Sequence, residues 1–328
     1  MQKPKESKLS IKQILISKQN WSTFHEKNKT RIRKAIVVCI VKLLSCRNTI
    51  RGYHEYACSN VACPHTKKIP HTCKSKACSS CGKKATEQWL HKQQNILPKT
   101  TWQHITFTMP DQLWDFFWCN RELLNKISKL AANTILFSAN QKNVTTGILT
   151  ALHTFGRNLK RNVHIHLCVT LGGLHQDTHQ WVSLYFIQHN LMKAWRTKVV
   201  TLFREAANNG QLVIPAELAQ TFNHTFTFNH FLDAQYKKYW RVHCAKPSKQ
   251  HKDHIHYCGR YAKRPPIAES KLRHYDGQEV TFEYLDHKTQ LIKKSTLSAE
   301  QFIAKFIQHI PDVSFRMIKC KGMIESLC

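Results

Sequence analysis

The sequence predicts an α+β fold built on a largely antiparallel sheet, and three observations lead there. The stretch "TWQHITFTM" (101–109) alternates like a half-buried strand, with Trp102, His104, Thr106 and Thr108 on one face and Ile105 and Phe107 on the other. "NVHIHLCVTLGG" (162–173) is apolar and β-branched, as a central strand is, and closes on Gly172 and Gly173. Around these strands run long helical patterns, from Leu113 to about Asn140 and from Ser183 to about Asn208, without the regular βαβ rhythm of a parallel sheet.

Taken in chain order, residues 1–50 read as a helical region. Ile32, Ala35, Ile36, Cys39, Ile40 and Leu43 recur at helical spacing, with Arg31, Arg33 and Lys34 at the start. The longest apolar run, Ala35–Val41, stops at Lys42 and falls far short of the ~20 residues a membrane span needs. The opening "MQKPKESKLSIKQILISKQNW" has no apolar leader pattern, so a soluble intracellular protein with no membrane partner is expected. From Tyr56 to Trp89 the texture changes to Cys, His, Lys and Ser with few large aliphatics. Such a segment cannot build its own apolar core and needs another means of support. Residues 98–328 hold the strands and long helices already described. Late in the chain "EVTFEYLDH" and "TQLIKKS" predict a hairpin, and "SAEQFIAKFIQHI" predicts a helix starting at Ser298.

Fifty Lys plus Arg against twenty Asp plus Glu give a net charge of +30, spread along the whole chain. A charge of that size favours a polyanion as partner, because each phosphate neutralised releases a counterion, and nucleic acid is the first expectation. Thirteen cysteines are an odd number, which argues against a closed disulfide framework and for metal ligation. Five of them, Cys58, Cys63, Cys73, Cys78 and Cys81, crowd into "CSNVACPHTKKIPHTCKSKACSSC". Cys58-x4-Cys63 and Cys78-x2-Cys81 form two knuckles with roughly the separation by which a thiolate site closes around Zn²⁺. Those four are the expected ligands, with Cys73 or His65 able to replace a neighbour. No carboxylate accompanies them as a catalytic zinc would require, so the zinc is read as structural. Lys67, Lys68, Lys74, Lys76, Lys83 and Lys84 around it are expected to face phosphates.

Two copies of His-Ile-His occur, His164/His166 and His254/His256, and among 21 histidines one such spacing arises by chance. "HYCGRYAKRPP" places Tyr257 and Tyr261 four apart, ahead of Pro265 and Pro266, so both phenols fall on one helical face. They are either packing aromatics or nucleophiles, and Arg260, Lys263 and Arg264 on the same turn favour the attacking phenolate of a group whose ordinary pKa is about 10.

The zinc cluster, "HITFTMP", "HTFGRNL", "HIHLCVTLGG", "YCGRYAKRPPIA" and "YDGQEVTFEYLDH" resemble, in order and spacing, the two-tyrosine HUH transposases of rolling-circle insertion sequences, from about Tyr56 to about Arg316. The resemblance implies an N-terminal helical region (1–50), a zinc-binding DNA-binding domain (51–97) and an HUH single-strand endonuclease domain (98–328), in a nucleoid-associated cytoplasmic protein of bacterial type. It implies that His164 and His166 hold a divalent ion, Mg²⁺ or Mn²⁺, with His153 as third ligand. On a strand, residues two apart share a face, whereas His254 and His256 at the start of a helix diverge by about 200°. It further implies attack by Tyr257 or Tyr261 on single-stranded element ends, giving a 5′-phosphotyrosine, the second tyrosine serving the second transfer. Arg260, Lys263, Arg264, Lys74, Lys76, Lys83 and Lys84 would contact DNA. No nucleotide-binding Gly-rich loop appears, as suits a bond-conserving transesterification. Two departures stand out. Val163 occupies a place where the family commonly has Pro, and "SFRMIKCKGMIESLC" begins the family's closing basic-aromatic strand without completing it. The alternatives are a non-catalytic zinc-containing DNA-binding protein, or an inactive transposase remnant, with the tyrosines as packing residues. A zinc hydrolase or base deaminase fits less well, since no Glu adjoins either His-Ile-His.

Overall fold

The computed structural model describes residues 9–222, 224–249, 259, 265–286 and 289–327. In chain order the elements are α1 (Ile11–Ile16), α2 (Asn20–Lys27), α3 (Lys34–Leu44), β1 (Tyr53–Ala57), β2 (Thr66–Pro70), α4 (Ser79–Ile96), β3 (Trp102–Phe107), α5 (Phe116–Cys119) and α6 (Arg121–Asn140). They continue with β4 (Val144–Phe155), β5 (Arg161–His175), β6 (Trp181–Ser183), α7 (Gln188–Asn208), α8 (Thr225–Lys237), β7 (Val242–Cys244), β8 (Leu272–Tyr275), β9 (Glu279–Leu285), β10 (Ile292–Ser298), α9 (Ala299–Ile307) and β11 (Ile318–Gly322). The fold is α+β, with antiparallel pairing in its sheets. The chain divides into two compact units. One comprises Met1–Gln88, Phe155–Lys160 and Lys263–Ser314, the other Trp89–Thr154, Arg161–Ala262 and Phe315–Cys328.

In the first unit the apolar stripe of α3, Ile36, Ile40 and Leu43, lies in one core with Ile11, Ile14 and Leu15 of α1, Val280 and Phe282 of β9, and Phe302 and Phe306 of α9. Each element arises from a local signal. Ser10 caps α1 by accepting from the Gln13 N–H at 3.1 Å. Ser298 and Gln301 form a reciprocal capping box at the start of α9, where the sequence places its helix. Strands β9 and β10 form the expected hairpin, paired from Ile292↔Leu285 to Ser298↔Glu279. The expected three-part division has residues 263–314 grouped with the strands after residue 98. Here they cluster with the N-terminal helices, because Val280 and Phe282 of β9 and the apolar face of α9 share one core with the apolar faces of α1, α2 and α3. Periodicity reveals that a face is buried, not what buries it.

The second unit is organised by a six-stranded sheet in the order β11-β4-β5-β3-β7, with β6 paired to β5, so "NVHIHLCVTLGG" is a central strand as expected. One sheet face presents Ile105, Phe107, Ile148, Leu152, Val163, Ile165, Leu167 and Val169 to α6 and α7, whose Leu124, Ile127, Trp195 and Phe203 complete the core. Each such side chain fully buried contributes about 1.5–3 kcal/mol. The opposite face carries, by alternation, Trp102, His104 and Thr106 of β3, His153 of β4, and His164, His166 and Cys168 of β5. The closing glycines of β5 serve close approach: a Cβ at Gly173 would lie 2.2 Å from the Thr145 carbonyl oxygen.

Candidate metal centres

Strand geometry builds the first centre. His164 and His166 stand two apart on β5 and therefore share a face, and the neighbouring strand β4 contributes His153. One nitrogen from each of the three lies within 4.8 Å of the others. The rings pack closely, with centroids 4.2 Å apart for His153 and His166 and 4.8 Å for His164 and His166. Burial holds His153 well below the usual histidine range, with His166, His164 and His104 adding to the effect. Burial likewise brings His166 down to about 2, reinforced by His164 and His104. Both rings are therefore neutral and competent to ligate. Nδ1 of His164 lies 2.9 Å from the Asn162 carbonyl. A carbonyl only accepts, so that nitrogen carries the proton and Nε2 is left for an ion. Three neutral imidazoles are a donor set suited to a divalent transition metal. His104, which strand alternation puts on this face but to which the sequence gives no role, has its Nε2 3.0 Å from Nδ1 of His166.

The second centre differs from the expected one. The structure brings together Cys46, Cys73, Cys78 and Cys81, all buried, in place of Cys58, Cys63, Cys78 and Cys81. Their sulfurs stand 3.7 Å (Cys46–Cys81), 3.6 Å (Cys73–Cys81) and 3.7 Å (Cys46–Cys78) apart. A tetrahedron of Zn–S bonds of about 2.3 Å has edges of about 3.8 Å, so the four thiols have the dimensions of a zinc site. A hydrogen bond from the Cys73 thiol lowers Cys78 to about 5 and raises Cys73, while burial raises Cys46.

 Desolvation is the largest cause of the upward shift at Cys46, with the neighbouring Cys78 thiol adding to it. Cys58 is exposed and Cys63 partly so. They stand at the end of the β1–β2 hairpin, where the Cys58 N–H donates to the His65 carbonyl at 3.0 Å. Cys58 and Cys63, at that end of the hairpin, are not among the four thiols that converge around Cys78 and Cys81. Cys46 was legible in one respect: it extends the buried stripe Ile36, Ile40, Leu43 by a further three residues. Of the basic residues expected near DNA, Lys74, Lys83 and Lys84 are exposed and Lys76 is half-buried.

Tyr257, Tyr261, Arg260, Lys263 and Arg264, and with them His254 and His256, lie outside the described residues. Gly259, between the two tyrosines, is described: it is helical and buried, and a Cβ there would lie 2.7 Å from Leu90 and 2.8 Å from Trp89. Leu90 and Trp89, just past the middle of α4, belong to one cluster with Trp102, Leu149, Ala151 and Cys168. By strand alternation these last four share the sheet face of the histidines. Among the described residues no helix is long and apolar enough to cross a membrane.

Comparison with known proteins gives the family. Residues 147–328 match the family described as "Putative transposase", and residues 16–109 match a transposase zinc-binding domain. The transposase for insertion sequence element IS801 of Pseudomonas savastanoi pv. phaseolicola is 37% identical over 317 residues, spanning 96% of this chain and 76% of that one. "Putative transposase y4qJ" of Sinorhizobium fredii (strain NBRC 101917 / NGR234) is 26% identical over 288 residues, spanning 85% of this chain and 72% of that one. No solved structure matches.

Proposed function

The chain belongs to the rolling-circle insertion-sequence transposases, and from that premise we propose that it nicks single-stranded DNA at element ends and rejoins strands through 5′-phosphotyrosine intermediates. The observation that carries the reading is the convergence of His153, His164 and His166 on the central strands of an antiparallel sheet. These three would hold a divalent ion, Mg²⁺ or Mn²⁺, which when bound polarises the scissile phosphate. The phenol of Tyr257 or Tyr261 attacks phosphorus, forming the Oη–P bond as the P–O3′ bond breaks. The phenolic proton is lost and the departing O3′ takes one up, so a free 3′-hydroxyl results. Arg260, Lys263 and Arg264 favour the phenolate and neutralise the backbone. One phosphodiester replaces another, so no nucleotide cofactor is needed. The buried placement of Gly259 against Trp89 and Leu90 supports the reading, because those two side chains share a cluster with residues of the histidine face and Gly259 is two residues in sequence from each tyrosine.

Cys46, Cys73, Cys78 and Cys81 would hold a structural zinc, with Lys74, Lys76, Lys83 and Lys84 contacting DNA phosphates. The function is tested by cleavage of a random single-stranded oligonucleotide pool in the presence of Mn²⁺. His164→Ala and His166→Ala should each lose cleavage by at least about 100-fold while keeping salt-sensitive DNA binding, because the ion acts on the transition state more than on the bound strand. Cleavage by both variants at the parental rate would refute the reading.

A further inference from the structure

The β3–β5 register sets Thr106 opposite His166 and His104 opposite Cys168, so His104 and His166 are diagonal neighbours on one face. Their rings lie nearly parallel, 19° apart in plane with centroids 5.1 Å apart, and His104 Nε2 is 3.0 Å from His166 Nδ1. Thr106 Oγ1 lies 3.3 Å from the same Nδ1. We propose that His104 is a positioning residue that holds His166 in its Nδ1–H form and so presents Nε2 to the cation. The inference rests on the reading of His153, His164 and His166 as a metal site.

Two facing imidazole nitrogens can share one hydrogen bond only if one donates and the other accepts. Were His166 Nδ1 the acceptor, its ring proton would sit on Nε2, and that nitrogen could not ligate. The productive arrangement is therefore His166 Nδ1–H donating to Nε2 of a His104 whose own proton is on Nδ1, with the Thr106 hydroxyl as a second acceptor. His164 reaches the same end through a backbone carbonyl, a partner that can only accept. His166 uses a side chain instead, so its orientation depends on one replaceable residue. His104 itself stands outside the group of three whose nitrogens converge. Partners of ligating histidines fix both the tautomer and the ring orientation, and their loss typically weakens metal binding about 10- to 100-fold.

The experiment combines two readouts on the full chain. In metal-free protein with ¹⁵N-labelled histidine, His166 should be protonated at Nδ1; an Nε2–H form would overturn the proposal without any substitution. In Mn²⁺ titrations followed by electron paramagnetic resonance, a hard cation that leaves thiolate-bound zinc in place, His104→Ala should bind about 10- to 100-fold more weakly than the parent. His104→Gln, whose side-chain carbonyl can accept the same N–H, should recover most of that loss. Unchanged affinity in His104→Ala, or a Gln variant as weak as Ala, would overturn the positioning role and leave the triad standing. Absence of Mn²⁺ binding in the parent would instead overturn the triad reading and this inference with it.

Discussion

At the scale of single residues, the two centres differ in how far the sequence discloses them. His164 and His166 are readable because a strand makes two-residue spacing a statement about one face, and His153 was reachable only through the family resemblance. Cys78 and Cys81 are readable from their spacing, and Cys73 was named as a substitute. Cys46 is not, because 26 residues and the β1–β2 hairpin separate it from Cys73, and its place on the buried stripe of α3 reads as ordinary core. The four-thiol geometry predicts which substitutions matter. Elemental analysis of the parent should find about one zinc per chain. Cys46→Ser and Cys73→Ser should each bring it near zero and loosen the surrounding core, since metal binding supplies folding energy there. Cys58→Ser and Cys63→Ser should leave the zinc content unchanged. The opposite pattern would restore the two-knuckle site.

Elements with strong local signals were legible, and those defined by tertiary pairing were not. The capping box at Ser298 and the alternation of β9 gave their helix and strand directly. Strand β7, three residues long, carries too little sequence to show a period and exists because Thr106 and its neighbours pair with it. Helix α9 should lose about 1 kcal/mol of stability in Ser298→Ala, measured by denaturant unfolding with an unchanged slope. The seat of Gly259 makes a sharper prediction. In Gly259→Ala the new methyl meets Leu90 and Trp89 closer than carbon atoms pack. Strand cleavage should fall at least about tenfold while Mn²⁺ affinity stays within twofold, as expected if a misplaced nucleophile is the defect. Equal losses in both readouts would indicate general damage to the sheet.

For the molecule as a whole, net charge discloses the partner class and residue patterning the fold class, but neither discloses the way the chain is partitioned. The first unit is discontinuous, joining the N-terminal 88 residues to 155–160 and 263–314, and no single window of sequence contains that information. The charge of +30 is distributed along the chain, so affinity for single-stranded DNA should fall steeply with salt, on a slope that reports several phosphate contacts; a flat response between 50 and 200 mM, the range over which phosphate contacts typically act, would point away from nucleic acid. The central claim is covalent transesterification by a tyrosine, and the most direct measurement is mass-spectrometric mapping of the protein–DNA adduct formed with single-stranded DNA and Mn²⁺. The account predicts an adduct on Tyr257 or Tyr261, surviving in either single Phe variant and absent from Tyr257→Phe with Tyr261→Phe. An adduct of undiminished yield in the double variant, or one mapped to any other residue, would contradict it.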